Sequence, residues 1–204
     1  MSNSQRARLR AECLIVFVMW PAAAIVLDGF SKFLFFALPL AYALAIYLRA
    51  KPLRPAPIRA WRIPAIRFLA AIPILMLLTR WLAPDAWLAF PRERTGLWAA
   101  VMALYPLVSA LPQEFLYRRF FFWRYAPILG EGGGRIAVNA ALFGWLHAMY
   151  DNCPAVILST IGGVLIAHTY ARTRSLALVW IEHAVYGQAL FTLGLGRFFY
   201  EGPA

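Results

Sequence analysis

Long apolar blocks separated by short polar stretches set the pattern of this chain. Residues 13–27, 33–48, 66–78, 96–111, 136–146 and 154–167 are almost unbroken hydrophobic runs, and a seventh begins after Arg174. A membrane-crossing helix needs roughly 20 mostly apolar residues, with about 17 as the lower limit. Several blocks reach that length once flanking aromatic and Arg positions are placed at the interface, where Trp, Tyr and snorkelling Arg are at home. The pattern predicts an all-α polytopic transmembrane helix bundle of about seven spans. The Pro-rich stretch 51–64 predicts a stiff, extended linker, and the glycines of 130–134 a turn. We divide the chain into an N-terminal helix pair (1–50), a Pro/Arg-rich cytoplasmic linker (51–64), a third span with an outer loop (65–95), and a C-terminal core (96–200).

Composition sharpens this picture. Only 14% of residues are charged, against about 25% in a soluble domain. The net charge of +11 would suggest nucleic acid on a soluble protein. Here the cations lie between apolar blocks: Arg6, Arg8 and Arg10, then the cluster from Arg49 to Arg67, then Arg118, Arg119, Arg124 and Arg135, then Arg172 and Arg174. Basic connections alternate with non-basic ones, such as Asp28–Lys32 and Asp151–Asn152. The positive-inside rule therefore predicts a multi-pass protein of the cell membrane, N-terminus cytoplasmic and C-terminus outside, bound to the bilayer and not to nucleic acid. The first apolar run, followed by further spans, reads as an uncleaved helix rather than a signal peptide. Two cysteines, Cys13 and Cys153, make neither a disulfide framework nor a Cys-based zinc site. Oligomeric state is open at this level.

Ionisable residues inside a span are costly and mark candidate function. They are Glu114, Arg118 and Arg119 in the fourth span, His147 in the fifth, His168 in the sixth, and Glu182 with His183 in the seventh. With the fourth helix ending near Tyr125, Glu114 lies about 18 Å from its cytoplasmic end, His147 about 18 Å from Arg135, and His183 roughly 14 Å from Arg174, at about 1.5 Å per residue. One carboxylate and two imidazoles on three helices thus reach nearly one depth. Glu114 and Arg118 are four apart and can pair, as are Phe143 and His147. His168 has no motif around it and reads as a bond to a neighbouring helix. Asp151, four past His147, reads as a cap or solvated turn rather than a ligand. Residues 120–123 read as lipid-facing or interfacial, and Gly162 and Gly163 as points of close helix packing. An internal repeat, the mark of many transporters, is missing from the sequence.

The stretch Gln113-Glu114-Phe115-Leu116-Tyr117-Arg118-Arg119 resembles the Glu-Glu-x-x-x-Arg motif of the CPBP (CAAX protease and bacteriocin-processing, or Abi) family of intramembrane proteases. Phe143-Gly144-Trp145-Leu146-His147 is similar to its Phe-x-x-x-His motif. Glu182-His183-Ala184-Val185-Tyr186-Gly187-Gln188 resembles its last motif, a His followed four residues later by Asn. The resemblance covers residues 96–196 and implies a membrane-embedded endopeptidase of the glutamic type, earlier classed as a metalloprotease. It acts on a membrane-associated protein or peptide and needs no cofactor. It also implies that the first Glu and the His of the second motif activate water, while the His and Asn of the last stabilise the oxyanion.

Two positions depart from the family pattern: Gln113 stands at the first Glu, and Gly187 at the Asn. The implied site is then Glu114 as acid/base, Arg118 as its partner, His147 and His183 at the water and the oxyanion, and Gln113 as a water-positioning or relict residue. Gln188, Glu182 and Phe143 stand behind them. Glu114, His147 and His183 form the ligand set if zinc binds. A second register, with Glu114 as first Glu and Arg119 as the Arg, is the alternative. The competing functions are a catalytically silent scaffold or immunity-type protein and, third, a transporter using the same polar cluster.

Overall fold

The computed structural model of the chain describes residues 1–26, 32–50 and 60–199, with the side chains of 32–35 left aside. Asp28, positions 51–59 of the linker and Glu201 lie outside the described residues. The described residues form helices α1 (Asn3–Val26), α2 (Lys32–Ala50), α3 (Arg62–Leu82), α4 (Thr95–Arg124), α5 (Gly133–Leu146), α6 (Cys153–Thr173) and α7 (Leu176–Leu193). No strand occurs among them. Five of these helices, α1, α3, α4, α6 and α7, are long and apolar enough to cross a membrane. The chain is a multi-pass membrane helix bundle; α5 is a shorter member of 14 residues, and Phe36–Ala50 of α2 is a shorter apolar stretch.

Local chemistry sets the helix ends. Ser2 and Gln5 close a reciprocal capping box, which satisfies N–H groups that the first turn leaves unpaired. Arg6, Arg8 and Arg10 therefore lie on α1 itself, not on a segment before it. Asn152 caps α6 by accepting from the Ala155 N–H at 2.9 Å, and Ser175 caps α7. Asp151 is exposed in the tight turn between α5 and α6, in a left-handed conformation (φ +52°). Gly194 ends α7 at φ +119° and packs so closely on Ala86 that a Cβ would collide with the Ala86 carbonyl. That contact seats the 80–94 connection against the end of α7.

α4 is the central post. Phe17 of α1 packs edge-on against Tyr117, Phe121 and Tyr125 at ring separations of 5.0, 5.2 and 5.8 Å, a geometry that aromatic quadrupoles favour. Phe120, Phe121 and Phe122 are fully buried. This corrects the lipid-facing reading of 120–123 for Phe120, Phe121 and Phe122, around which α1, α2, α5 and α6 close; Trp123 keeps part of its surface exposed. The cations of α4 bind its neighbours. Arg124 holds Glu12 of α1 through two hydrogen bonds of 2.8 and 2.6 Å, and Arg119 donates to the Tyr47 hydroxyl of α2. Both pairings satisfy groups that hydrocarbon would leave unsolvated.

α5 and α6 are the most closely joined pair. A Cβ on Gly163 would stand 3.2 Å from the Ala140 Cα, so the two backbones touch at the missing side chain. Gly162 differs: nothing lies within 4 Å of its Cβ position, and it borders an internal cavity. Only Gly163 has the packing role read from the sequence for both.

Candidate active site

Two π turns, Pro106–Ala110 and Phe115–Phe120, interrupt α4 on either side of Gln113-Glu114. Each shifts the helix face by an extra residue, as is common at functional sites. Pro106 and Pro112 lack the N–H that a regular ladder needs there. The result turns Gln113 towards the cavity and Glu114 into the bundle.

The cavity measures about 920 Å³ and is lined by residues from all seven helices. Its wall is mostly aliphatic; the polar residues along it include the cation Arg67 as well as Tyr105, Gln113, His147, Tyr150 and His183. The three motif helices thus bring Gln113, His147 and His183 to one cavity.

Glu114 stands behind this wall. It is fully buried and does not border the cavity. Its Oε1 accepts from His183 Nδ1 at 2.8 Å, and its Oε2 lies 3.3 Å from Arg118 Nε. Both of its oxygens are thus turned to cationic or N–H groups, one on its own helix and one on α7. Arg118 is fully buried too. It donates to Asn139 Oδ1 on α5 and lies 4.9 Å from the Phe143 ring centre. Arg119 points to α2, so of the two arginines it is Arg118 that pairs with Glu114.

His147 Nδ1 meets the Phe143 carbonyl at 2.8 Å. A carbonyl only accepts, so Nδ1 carries the hydrogen and Nε2 keeps its lone pair. The same logic at Glu114 makes His183 Nδ1 a donor. Phe143 separates the two imidazoles, with ring centres 4.8 Å from His147 and 5.6 Å from His183. Gln113 Nε2 donates to Ser109 Oγ at 3.0 Å, while its Oε1 is buried without a hydrogen-bond partner.

Other expectations are redirected. Gln188 does not reach the cavity wall; its amide donates to the Met102 carbonyl at 2.8 Å. Glu182 is buried beside His183 in the chain without bordering the cavity. His168 Nδ1 lies 3.0 Å from Arg67 on α3, the neighbour-helix bond expected of it. Glu114, His147 and His183 do not fit a zinc site: the carboxylate is occupied by Arg118 and His183, and no three His, Cys, Asp or Glu converge among the described residues.

Asn139 was not singled out by its sequence. Its Oδ1 receives Arg118, and its Nδ2 donates to the Tyr117 carbonyl at 2.7 Å, an acceptor within the second π turn. The available signal was spacing, since Asn139, Phe143 and His147 fall four apart on one face of α5.

Comparison with known families matches residues 95–187 to the family described as type II CAAX prenyl endopeptidase Rce1-like. Comparisons with curated proteins and with solved structures return no match. The matched stretch, a little under half of the chain, runs from the start of α4 to Gly187, carries Gln113, Glu114, His147 and His183, and supports assignment to the CPBP/CAAX protease family.

Proposed function

We propose that this protein is an intramembrane endopeptidase that hydrolyses a peptide bond of a membrane-associated protein or peptide, in the manner the name of its family describes. The observation that carries the reading is the juxtaposition of two oriented imidazoles at one largely apolar cavity. His147 presents a lone pair on Nε2, and the Nδ1 of His183 is held by a buried carboxylate.

The chemistry follows from these roles. A water held by the Gln113 Oε1 attacks the scissile carbonyl carbon and gives its proton to His147 Nε2. The carbonyl π electrons move to oxygen, where the Nε2–H of the His183 imidazolium, whose Nδ1–H is held by Glu114, stabilises them. Collapse breaks the C–N bond, and the leaving amine takes the proton back from His147. Glu114 is thus a positioning residue that acts through His183, much as a carboxylate orients a catalytic imidazole in hydrolase triads. Arg118 offsets the cost of burying it. The alternation of basic connections supports the orientation with the N-terminus inside, which puts the 51–64 linker in the cytoplasm.

The test is cleavage in heavy-oxygen water. Membranes carrying the wild type should yield new C-termini bearing one labelled oxygen, and His147→Ala membranes should not. Label-free termini would sink hydrolysis at this site.

One observation favours a second reading, a silent scaffold: the group that faces the cavity on α4 is the amide of Gln113, which cannot take a proton. It expects wild-type and His147→Ala membranes to show the same termini.

A further inference from the structure

Gly187 lies one turn after His183 on α7, on the face turned to the cavity. It carries no side chain, so on α7 itself His183 stands without a donor beside it. The space is not empty. A Cβ on Gly187 would fall on Cε1, Cζ and the hydroxyl oxygen of Tyr105. The phenol of Tyr105, arriving from α4, occupies the volume that a side chain at 187 would fill. Its ring stands 6.0 Å from the His183 ring, edge-on, and it borders the cavity. Among the described residues its hydroxyl has no hydrogen-bond partner. A phenol O–H is a donor that seeks an acceptor when taken out of water.

The backbone around Tyr105 is built to hold it there. Pro106 has no N–H, so the Met102 carbonyl loses its helical partner four residues on. Gln188 of α7 supplies the replacement at 2.8 Å. The Pro106 carbonyl receives the Trp180 indole N–H, again from α7, at 2.6 Å. Two α7 side chains thus clamp α4 on either side of Tyr105, and Phe191 packs on its ring at 5.6 Å. This gives Gln188 a function without placing it in the cavity.

We propose that Tyr105 is a catalytic residue, whose hydroxyl donates to the oxyanion alongside His183, with Gln188 as its positioning residue. The inference rests on the endopeptidase reading and adds one residue to it. As water attacks and the carbonyl electrons pass to oxygen, the new charge accepts the Tyr105 O–H; no proton leaves Tyr105 in the step, and the bond weakens again as the C–N bond breaks. A donor aimed at a developing oxyanion in a dry site is worth on the order of 10²–10³ in kcat.

The test uses the purified full chain in detergent and a quenched peptide spanning a cleavage site that His183→Ala abolishes in membranes. Tyr105→Phe keeps the ring against Gly187 and removes only the hydroxyl. Its kcat should fall on the order of 10²–10³-fold, with KM changed by no more than a few-fold. Tyr105→Ala with Gly187→Asn vacates the ring and offers an amide one turn from His183. It should recover about tenfold over Tyr105→Ala alone. A Tyr105→Phe protein within about threefold of wild type overturns the role of Tyr105 while leaving the endopeptidase standing. A kcat loss matched by an equal loss of folded protein, with no recovery in the double variant, also overturns it. Termini unaffected by His183→Ala remove the endopeptidase reading and this inference together.

Discussion

The Glu114 Oε1 accepts a hydrogen bond from His183 Nδ1 at 2.8 Å across two helices, and neither group is more than slightly exposed. This bond ties the conformation of α4 to the orientation of the imidazole that faces the cavity. The other carboxylate oxygen lies 3.3 Å from Arg118 Nε, so Glu114 is held from both sides.

Glu114→Gln keeps the size of the side chain and removes its charge. The amide also offers an N–H where His183 needs an acceptor. Cleavage should fall on the order of 10²–10⁴-fold. Initial rates on the purified, folded variant check this; an unchanged rate would remove the coupling.

Gln113→Glu places a carboxylate on the cavity wall. It adds a base within reach of the same water, and cleavage should rise about tenfold or more. Should wild-type membranes be silent and Gln113→Glu membranes active, the scaffold reading holds for the natural sequence. A fall in rate with the fold intact would show that Gln113 is the better water-positioning group.

Asn139→Leu strips one hydrogen bond from Arg118 and one from the Tyr117 carbonyl. Each buried orphan costs about 1–3 kcal/mol. Thermal unfolding in detergent should show the loss, and Asn139→Asp, which still accepts from Arg118, should lose less.

Gly163→Leu pushes α5 off α6, because the Ala140 backbone already stands 3.2 Å from the Cβ position. Gly162→Leu meets no atom within 4 Å and projects into the cavity. The first should lower the unfolding temperature, at a cost of at least about 1–3 kcal/mol. The second should leave it unchanged and raise KM. Equal effects on stability would contradict the distinction between the two glycines.

The spans, the three motif helices and the meeting of His147, His183 and the Glu114–Arg118 pair were legible because they rest on local regularities: apolar length, spacing by four, and depth along a helix. What escaped depends on contacts between distant segments. Residues 120–123 look like an interfacial belt until α1 and α2 are known to pack on them. Gln188 looks like a substitute for the missing amide at 187, yet a proline on another helix leaves Met102 an orphan carbonyl that claims it. Tyr105 sits in an unremarkable apolar run, and only the bare backbone at Gly187 shows why a phenol fits there. The departure of Glu114 from the cavity wall comes from two π turns, which proline placement hints at but does not locate.

The most direct measurement maps new termini in membranes from cells carrying the wild type, His147→Ala or His183→Ala, with all three proteins folded and equally abundant. The expected result is a set of termini present with the wild type and absent with both variants, which would also reveal the substrate. The same termini in all three would contradict proteolysis at this cavity and leave a bundle that binds without cutting.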